Sequence, residues 1–406
     1  MTGNQSLLKR INRTALLRLV KAEPGLSRVE LAHRTGLTKA AVGLLVQELI
    51  DEGWLCQSEP SAAQGVGRRP VPLALDGRRV GLLGAEVGVD YLDAVACDLQ
   101  GERLWSRRVR YPPRDVGRTV RRLGALVASA QAALRAEGRR ALGLGVGVPG
   151  AVDARDGTLR FAPNLGWHDV ELLPQLRAAL RAAGCGELPV QLLNEANAAA
   201  LSEYVFGDAP PAGPLVYLSL GIGLGAGVVL GDRLYLGRGG LAGEVGHTIL
   251  ERGGPRCACG RRGCAEAFVS QRAVSRCITG RDHPVLAIEE LSARLARREP
   301  AAVRGATQAG EYLGILLQNI ANSFDPALVV LGGPLCQLGD VFVKRALRAM
   351  AAHAGQYDRE RPSVQLCRFG VDACAVGAAA SVFQDFLTAL PGAAAPRGAR
   401  RAAPAA

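Results

Sequence analysis

Four potential metal ligands lie in one glycine-rich stretch, GHTILERGGPRCACGRRGCAE, and they constrain the fold of this chain more than any other feature. Nine residues separate His247 from Cys257, one separates Cys257 from Cys259, and four separate Cys259 from Cys264. Three thiolates and one imidazole suit a closed tetrahedral Zn²⁺ site, which leaves no open position for a reacting water. We therefore expect a structural zinc; the alternative is three buried cysteines without a metal.

The remaining cysteines and the composition point to a cytoplasmic protein. Seven of the ten cysteines are scattered singly through apolar segments, which disfavours a disulfide framework. The N-terminus, MTGNQSLLKR, lacks the apolar region of a secretory signal, and no apolar run is long enough to span a bilayer. We expect no membrane partner. With 48% hydrophobic and 21% charged residues, the 406-residue chain has material for two or three domains.

The first 78 residues have the pattern of a winged helix-turn-helix, a small α+β domain. Residues 7–22 predict a first helix, with Leu8 among the residues on its apolar face. Ser27 and Glu30 have the spacing of a capping box at the start of a second helix, and Thr38 is expected to cap a third. The apolar segments WLCQSEP and VPLALD flank the Gly/Arg-rich SAAQGVGRRP, which predicts a two-stranded hairpin, the wing.

This N-terminal region is expected to bind double-stranded operator DNA. Residues 1–75 carry ten Lys/Arg and six Asp/Glu, and the whole chain has a net charge of +12. Such a charge fits a polyanionic partner, although an arginine-rich composition produces the same bias. A small helical bundle with a solvated charged face is the alternative. The candidate DNA contacts lie at the two capped helix starts and at the wing tip: Ser27, Thr38, Lys39, Ala40, Arg68 and Arg69.

From Val80 the pattern changes to that of an α/β protein with two lobes. VGLLGAEVGV, YLDAVACDL and ERLWSRRVR read as strands, followed by a helix over 119–137 and the strand ALGLGVGVPG. A second strand-rich unit begins at PLVYLSLGIGLGAGVVLGDRLY and continues to ALVVLGGPL. The tail, residues 388–406, has too little apolar bulk to pack and is expected to be disordered. The predicted domains are therefore residues 1–78 and 79–387.

Two groups of polar residues are candidates for ligand contacts. Glu244 and Glu266 flank the predicted zinc loop, which would hold their carboxylates where they could accept hydrogen bonds from sugar hydroxyls. Asn194, Glu195 and Asn197 follow an apolar run and precede an alanine-rich helix pattern. These three residues either supply a catalytic base or only hold a ligand.

Several of these motifs together resemble the ROK family, which joins sugar kinases and sugar-responsive transcriptional repressors. The resemblance rests on EVGH, the His/Cys spacing with the following CAE, the NEAN run, and GVGVPGAVDARDGTLRFAPNLGW. It covers residues 5 to about 387 and, with the winged domain, favours the repressor branch of the xylose repressor type. It implies an actin-like two-lobed sugar kinase fold, a homodimer or dimer of dimers, and a monosaccharide effector in the cleft. By this resemblance the sugar site comprises Asn164, Asn194, Glu195, Glu244, His247 and Glu266.

The chain departs from the kinase branch of that family at two places. Kinases have Asn-Asp-Ala-Asn where this chain has NEAN, so Glu195 replaces the aspartate that acts as base. Their first phosphate loop reads Asp-x-Gly-Gly-Thr, whereas residues 86–90 read EVGVD, which loses a glycine and adds Asp90. The second glycine loop, GIGLGAG, is retained, but strand packing explains it equally well.

We therefore expect a repressor of carbohydrate-use genes that binds its sugar without phosphorylating it, and is not an enzyme. The main alternative is an active hexose or N-acetylhexosamine kinase with an added DNA-binding domain. A third is a zinc-stabilised enzyme that does not bind DNA.

Overall fold

The computed structural model describes residues 2–57, 71–153, 155–207, 213–282, 284–355 and 361–388. Its helices are α1 (Thr2–Ala22), α2 (Arg28–Thr35), α3 (Lys39–Asp51), α4 (Val116–Ala136), α5 (Leu172–Ala182), α6 (Glu195–Phe206), α7 (Gln271–Thr279), α8 (Ile288–Ala296), α9 (Pro300–Phe324), α10 (Val343–Ala352) and α11 (Ala373–Thr388). Its strands are β1 (Leu55–Gln57), β2 (Leu73–Leu75), β3 (Val80–Val87), β4 (Tyr91–Cys97), β5 (Arg103–Arg110), β6 (Arg140–Val148), β7 (Ala151–Asp153), β8 (Thr158–Ala162), β9 (Trp167–Glu171), β10 (Val190–Asn194), β11 (Leu215–Leu220), β12 (Leu224–Leu230), β13 (Arg233–Leu234), β14 (Leu328–Gly332) and β15 (Ser363–Leu366).

The N-terminal helices begin where their capping residues predict. The Ser27 hydroxyl accepts a hydrogen bond from the Glu30 amide, and the Glu30 carboxylate accepts one from the Ser27 amide, so the capping box is confirmed. Thr38 caps α3 through the amide of Ala41. β1 and β2 form the antiparallel pair expected of the wing, whose tip lies outside the described residues.

Helix α1 is longer than predicted, and its packed face lies nearer the C-terminal end. The helix starts at Thr2, and its buried side chains are Leu16, Leu17 and Val20 near the C-terminal end. The prediction that Leu8 belongs to the packed face is wrong, because its side chain is 52% exposed. The apolar contacts of α1 therefore lie in its last turns, whereas Lys9 and Arg13 form ion pairs with Glu48.

Two five-stranded mixed sheets form the two lobes and confirm the predicted α/β architecture. The first sheet has the order β10-β6-β3-β4-β5, in which β10, β6 and β3 are parallel. The second has the order β13-β12-β11-β14-β15, in which β11, β14 and β15 are parallel. A third sheet, β7-β8-β9, extends from the first lobe. Helix α4 starts at Val116, three residues before the predicted start, because Asp115 caps it.

Helix α11 packs against α6 and the first sheet with backbone in contact with backbone. A Cβ atom added at Gly377 would overlap the carbonyl oxygen of Ala198 in α6. One added at Gly145 of β6 would overlap the carbonyl oxygen of Ala378. The facing residues are small, so α11 lies much closer to its neighbours than a helix with larger side chains could.

The winged helix-turn-helix rests on the C-terminal end of α11. The Trp54 and Phe386 rings stack with their centroids 4.4 Å apart. Arg18 of α1 donates from Nε to the Leu387 carbonyl oxygen at 2.6 Å. One continuous hydrophobic core runs from Leu16 through this interface to Leu387. The two parts of the chain therefore share a packed boundary.

The predicted domain boundary at residue 78 lies in the short connection from β2 to β3, and it stays a prediction. Of the predicted tail, only Thr388 is described, as the last residue of α11. In the described part of the chain, no helix is long and apolar enough to cross a membrane.

The close packing at Gly377 gives the first test. Gly377→Ala is expected to lower the free energy of unfolding by about 1–3 kcal/mol, because the new methyl group collides with backbone. This collision outweighs the gain of about 1 kcal/mol that alanine brings to a helix. Urea unfolding followed by circular dichroism measures the change. Gly239→Ala is the control, since nothing lies within 4 Å of its Cβ position, and equal stability of both variants would refute the argument.

Candidate functional site

Five of the six predicted sugar-site residues lie around the start of β12, Glu266 through a direct hydrogen bond and the others through neighbouring residues. The Leu224 amide donates to Glu266 at 3.1 Å, and a Cβ atom at Gly246, next to His247, would overlap the Leu224 carbonyl oxygen. On the other side of β12, a Cβ atom added at Gly225 would lie only 3.2 Å from the Cβ of Ala196, the neighbour of Glu195. The glycines of the GIGLGAG loop thus permit close packing.

The sixth residue, Asn164, lies apart from this group. It is exposed in the turn between β8 and β9. No contact among the described residues joins its side chain to the other five. Its assignment to the sugar site therefore rests on the resemblance alone.

Asn194 caps helix α6. Its Oδ1 accepts hydrogen bonds from the amides of Ala196 (2.8 Å) and Asn197 (3.3 Å), and its Nδ2 donates to the Gly150 carbonyl oxygen at 2.9 Å. These contacts tie the start of α6 to the turn after β6 and fix the position of Glu195. Asn197 is only 7% exposed, and its Oδ1 has no hydrogen-bond partner among the described residues.

Two carboxyl groups lie inside this region with raised pKa values. Burial raises the pKa of Glu195 to about 7. Burial also raises the pKa of Glu86 to about 8, and the nearby Glu195 adds to that increase. Glu86 is 4% exposed, and its Oε1 accepts a hydrogen bond from the Tyr91 hydroxyl at 2.6 Å. Its Oε2 is buried and has no hydrogen-bond partner in the part of the chain that the structure describes.

The sequence analysis places Glu86 only in a phosphate loop and does not predict that its side chain is buried. Its burial could have been predicted from its position as a lone glutamate within the apolar strand VGLLGAEV. Such a position buries the carboxyl group, which favours its neutral form.

The turn that corresponds to the first phosphate loop is closed. The Gly88 amide donates to the Tyr91 carbonyl oxygen at 3.0 Å. A Cβ atom at Gly88 would overlap the Tyr91 ring, so this ring covers the glycine. Asp90 is exposed beside it. A phosphate would have to displace the ring to reach this amide.

The predicted metal ligands form a compact cluster. The ligand atoms of His247, Cys257, Cys259 and Cys264 all lie within 4.8 Å of one another. The Nδ1 of His247 is 3.7 Å from the Cys257 Sγ, and the same distance separates the Sγ atoms of Cys259 and Cys264. The structure therefore contains a possible His/Cys metal-binding cluster.

The imidazole of His247 faces two environments. Its Nδ1 points to the thiol cluster, whereas its Nε2 lies 3.8 Å from the Glu244 carboxylate. Glu266 likewise links the cysteine cluster to β12. Its Oε1 is 3.4 Å from the Cys257 Sγ, while its Oε2 accepts a hydrogen bond from the Leu224 amide. A metal held by the cluster would fix both residues beside the start of β12.

The DNA-contact residues divide into three groups. Thr38, Lys39 and Ala40 are exposed at the start of α3, as expected. Ser27 is only 4% exposed and its hydroxyl is bonded to Glu30, so its prediction as a direct DNA contact is wrong. Arg68 and Arg69 lie outside the described residues.

The burial of Glu86 gives a prediction for pH dependence. The folded chain keeps the Glu86 proton up to about pH 8, whereas the unfolded chain releases it near its ordinary pKa of 4.5. Stability from this group is therefore greatest at low pH and falls as the pH rises towards 8. Glu86→Gln removes this loss, so its melting temperature should exceed that of the wild type by an amount that grows from pH 5 to pH 8.5.

The control for this experiment is Asp90→Asn, which removes an exposed carboxylate from the same turn. Asp90→Asn should keep the wild-type pH dependence of the melting temperature. A difference between Glu86→Gln and wild type that stays constant with pH would contradict the argument.

Comparison with known proteins identifies both parts of the chain. Residues 82–385 match the ROK family model, and residues 9–55 match a winged helix-turn-helix DNA-binding model. A putative xylose repressor from a Caldicellulosiruptor species is 33% identical over 95% of this chain and 98% of its own length.

Two solved structures show the same fold. One is a ROK family transcriptional regulator, a homologue of the E. coli MLC protein, with a TM-score of 0.75, 25% identity, and coverage of 94% of this chain and 98% of its own. The other is a ROK family glucokinase from Streptomyces griseus in complex with glucose and AMPPNP, with a TM-score of 0.64, 29% identity, and coverage of 75% and 99%. The chain therefore belongs to the ROK family.

Proposed function

We propose that this protein is a sugar-responsive transcriptional repressor that binds operator DNA and controls carbohydrate-use genes. The observation that carries the proposal is the position of α11, which contacts α6 at one end and the winged helix-turn-helix at the other. Relatives that match nearly the whole chain are named xylose repressors, which supports this function.

The contacts on α11 suggest how a sugar would act on DNA binding. The first turn of α6 carries Glu195, and one turn further Ala198 touches α11 at Gly377. The other end of α11 holds Trp54 and Arg18 of the winged domain. A sugar that favours one arrangement of the lobes would move α6 and α11 together and so reposition the DNA-reading helix. By the resemblance, the sugar releases the DNA.

In the proposed sugar site, Glu195 and Glu266 accept hydrogen bonds from hydroxyl groups, and Glu244 and the Nε2 of His247 contact the ring from the second lobe. Asn194 acts mainly by holding Glu195 in place, because both of its polar atoms already have protein partners. Asn164 completes the site only if the sugar reaches the β8–β9 turn.

One observation favours the alternative function, a hexose or N-acetylhexosamine kinase. A carboxylate with a pKa of about 7 is well suited to take a proton from a hydroxyl, and Glu195 has that value. Against catalysis, Glu195 is one methylene longer than the kinase aspartate, and an error of about 1 Å can reduce a rate about 100-fold. The Tyr91 ring over Gly88 also obstructs a phosphate.

We infer that the metal is zinc and that its role is structural. Zn–S bonds of about 2.3 Å in a tetrahedron place sulfur atoms about 3.8 Å apart, close to the 3.7 Å between Cys259 and Cys264. His247, Cys257, Cys259 and Cys264 would fill all four positions. A bound zinc would supply a fixed anchor for the loop that carries Glu266 and would orient the His247 ring.

Metal analysis of the purified protein should find about one zinc per chain. Cys259→Ser should lose the zinc and, with it, most of the sugar affinity, because the loop that carries Glu266 is released. Cys277→Ser is the matched control, since Cys277 is also exposed but lies outside the cluster. Zinc-free wild-type protein, or a Cys259→Ser variant that retains its zinc, would exclude this site.

The functional test begins with a duplex selected from a random library by the full-length protein, and with a panel of monosaccharides screened by melting temperature. The sugar that stabilises most should weaken binding to the selected duplex. We expect a dimer and a palindromic duplex, which sedimentation and the selected sequences check. Failure to select any duplex would refute the repressor function. Sugar-dependent ADP release at about 1 s⁻¹ or faster would favour the kinase.

Arg18→Ala tests the proposed role of α11. The variant should bind the sugar, and separately the duplex, with wild-type affinity. The sugar should no longer weaken DNA binding, because the bond to Leu387 and the 4.0 Å ion pair with Asp232 are both lost. Arg10→Ala removes the same charge from an exposed position on α1 and should leave the sugar response intact. An unchanged response in Arg18→Ala would exclude this contact from the coupling.

A further inference from the structure

The exposed face of α3 carries a large apolar side chain, Leu44, that is mostly exposed among the described residues. Ala40, Leu44, Gln47 and Asp51 follow one another at helical spacings of four, three and four residues, so they form one stripe. Leu44 is 70% exposed, more than any other large hydrophobic side chain among the described residues. A single exposed leucine is ordinary on a protein surface and does not by itself indicate a binding site.

Gln47, the polar member of the stripe, is already held within the protein. Its Oε1 accepts from Arg28 at 3.1 Å, and its Nε2 donates to Asp51 at 2.9 Å. Both polar atoms of this amide therefore already have a partner that a base would have to replace. Ala40 and Leu44 are the members of the stripe that take no part in these hydrogen bonds.

Gly43, the neighbour of Leu44, is a glycine in the interior of α3. Glycine in the interior of a helix is destabilising relative to alanine. At Gly377 and Gly145 the packing of the protein explains the glycine, but at Gly43 no atom of the described residues lies within 4 Å of the Cβ position. The backbone angle at Gly43 is not left-handed either. Nothing in the described part of the chain therefore requires a glycine at this position.

We propose that Gly43 and Leu44 form a thymine-reading surface in the DNA major groove. Leu44 packs on the 5-methyl group of a thymine, while Gly43 lets the helix approach the base edges without a side chain between them. The inference rests on the proposed DNA-binding function and adds the base that this part of α3 selects. The apolar character of Leu44 and the restraint on Gln47 favour methyl contact over hydrogen-bond readout.

The probe is the duplex that the wild-type protein selects from a random library. Each thymine is replaced in turn by deoxyuridine, which removes the 5-methyl group and keeps base pairing. At one position in each half-site, this replacement should weaken wild-type binding about 4-fold, as expected for the loss of one buried methyl group. Replacement in both half-sites should weaken binding about 15-fold. Leu44→Ala should bind the two duplexes equally.

The matched control is Leu8→Ala, which removes another exposed leucine, from α1, and should keep the deoxyuridine effect. Failure to select a duplex refutes the DNA-binding function itself. A selected duplex with no deoxyuridine effect, or a Leu44→Ala variant that keeps the effect, overturns only the present inference. Dissociation of the oligomer by Leu44→Ala, with an unchanged deoxyuridine effect, would show instead that Leu44 contacts a second copy of the chain.

Gly43→Ala supplies an independent readout. Its melting temperature should rise by about 1–3 °C, since alanine favours the helix and meets no neighbour. Binding to the selected duplex should nevertheless weaken at least 10-fold. Unchanged DNA affinity would overturn the proposed close approach, and a lower melting temperature would show that the glycine is needed for the fold.

Discussion

The structure depends on the direct contact of α11 with α6 and with the first sheet. Because Gly377 and Gly145 carry no side chain, the helix meets backbone atoms on two sides, and little room remains for independent movement. Packed interiors of this density shift between discrete arrangements and do not deform smoothly. The first lobe, the helix that begins at Glu195 and the support of the winged domain are therefore mechanically joined.

The same packing explains the electrostatics of the cleft. Strand β3 brings Glu86 into the first lobe, and α6 begins with Glu195 beside it, so two carboxyl groups share a poorly solvated region. Such groups resist ionisation, and the Tyr91 hydroxyl satisfies only one oxygen of Glu86. A polar ligand rich in hydroxyl groups could provide hydrogen bonds that the protein does not supply to Glu195.

Features encoded within a few residues could be predicted from the sequence. The capping box at Ser27, the cap at Thr38 and the spacing of His247 from the cysteines depend on local geometry, and the structure confirms them. The capping role of Ser27 also removes it from the surface, a consequence that its spacing from Glu30 does not by itself reveal. The contact of Tyr91 with Glu86 and the exposure of Leu8 could not be predicted, because each depends on how distant elements pack.

Two specific contacts between α11 and the winged domain have energies in the range that a sugar could control. A sugar can shift DNA binding only by the difference in its affinity for two arrangements, and a 10-fold difference corresponds to about 1.4 kcal/mol. A stacked aromatic pair is worth about 0.5–1.5 kcal/mol, and a hydrogen bond from a charged group about 1.5–3 kcal/mol. The Trp54–Phe386 stack and the Arg18–Leu387 bond are thus comparable in energy to a 10-fold change in DNA affinity. The hydrophobic core that runs through this boundary would keep the winged domain attached to α11, so a sugar would reposition the domain together with the helix.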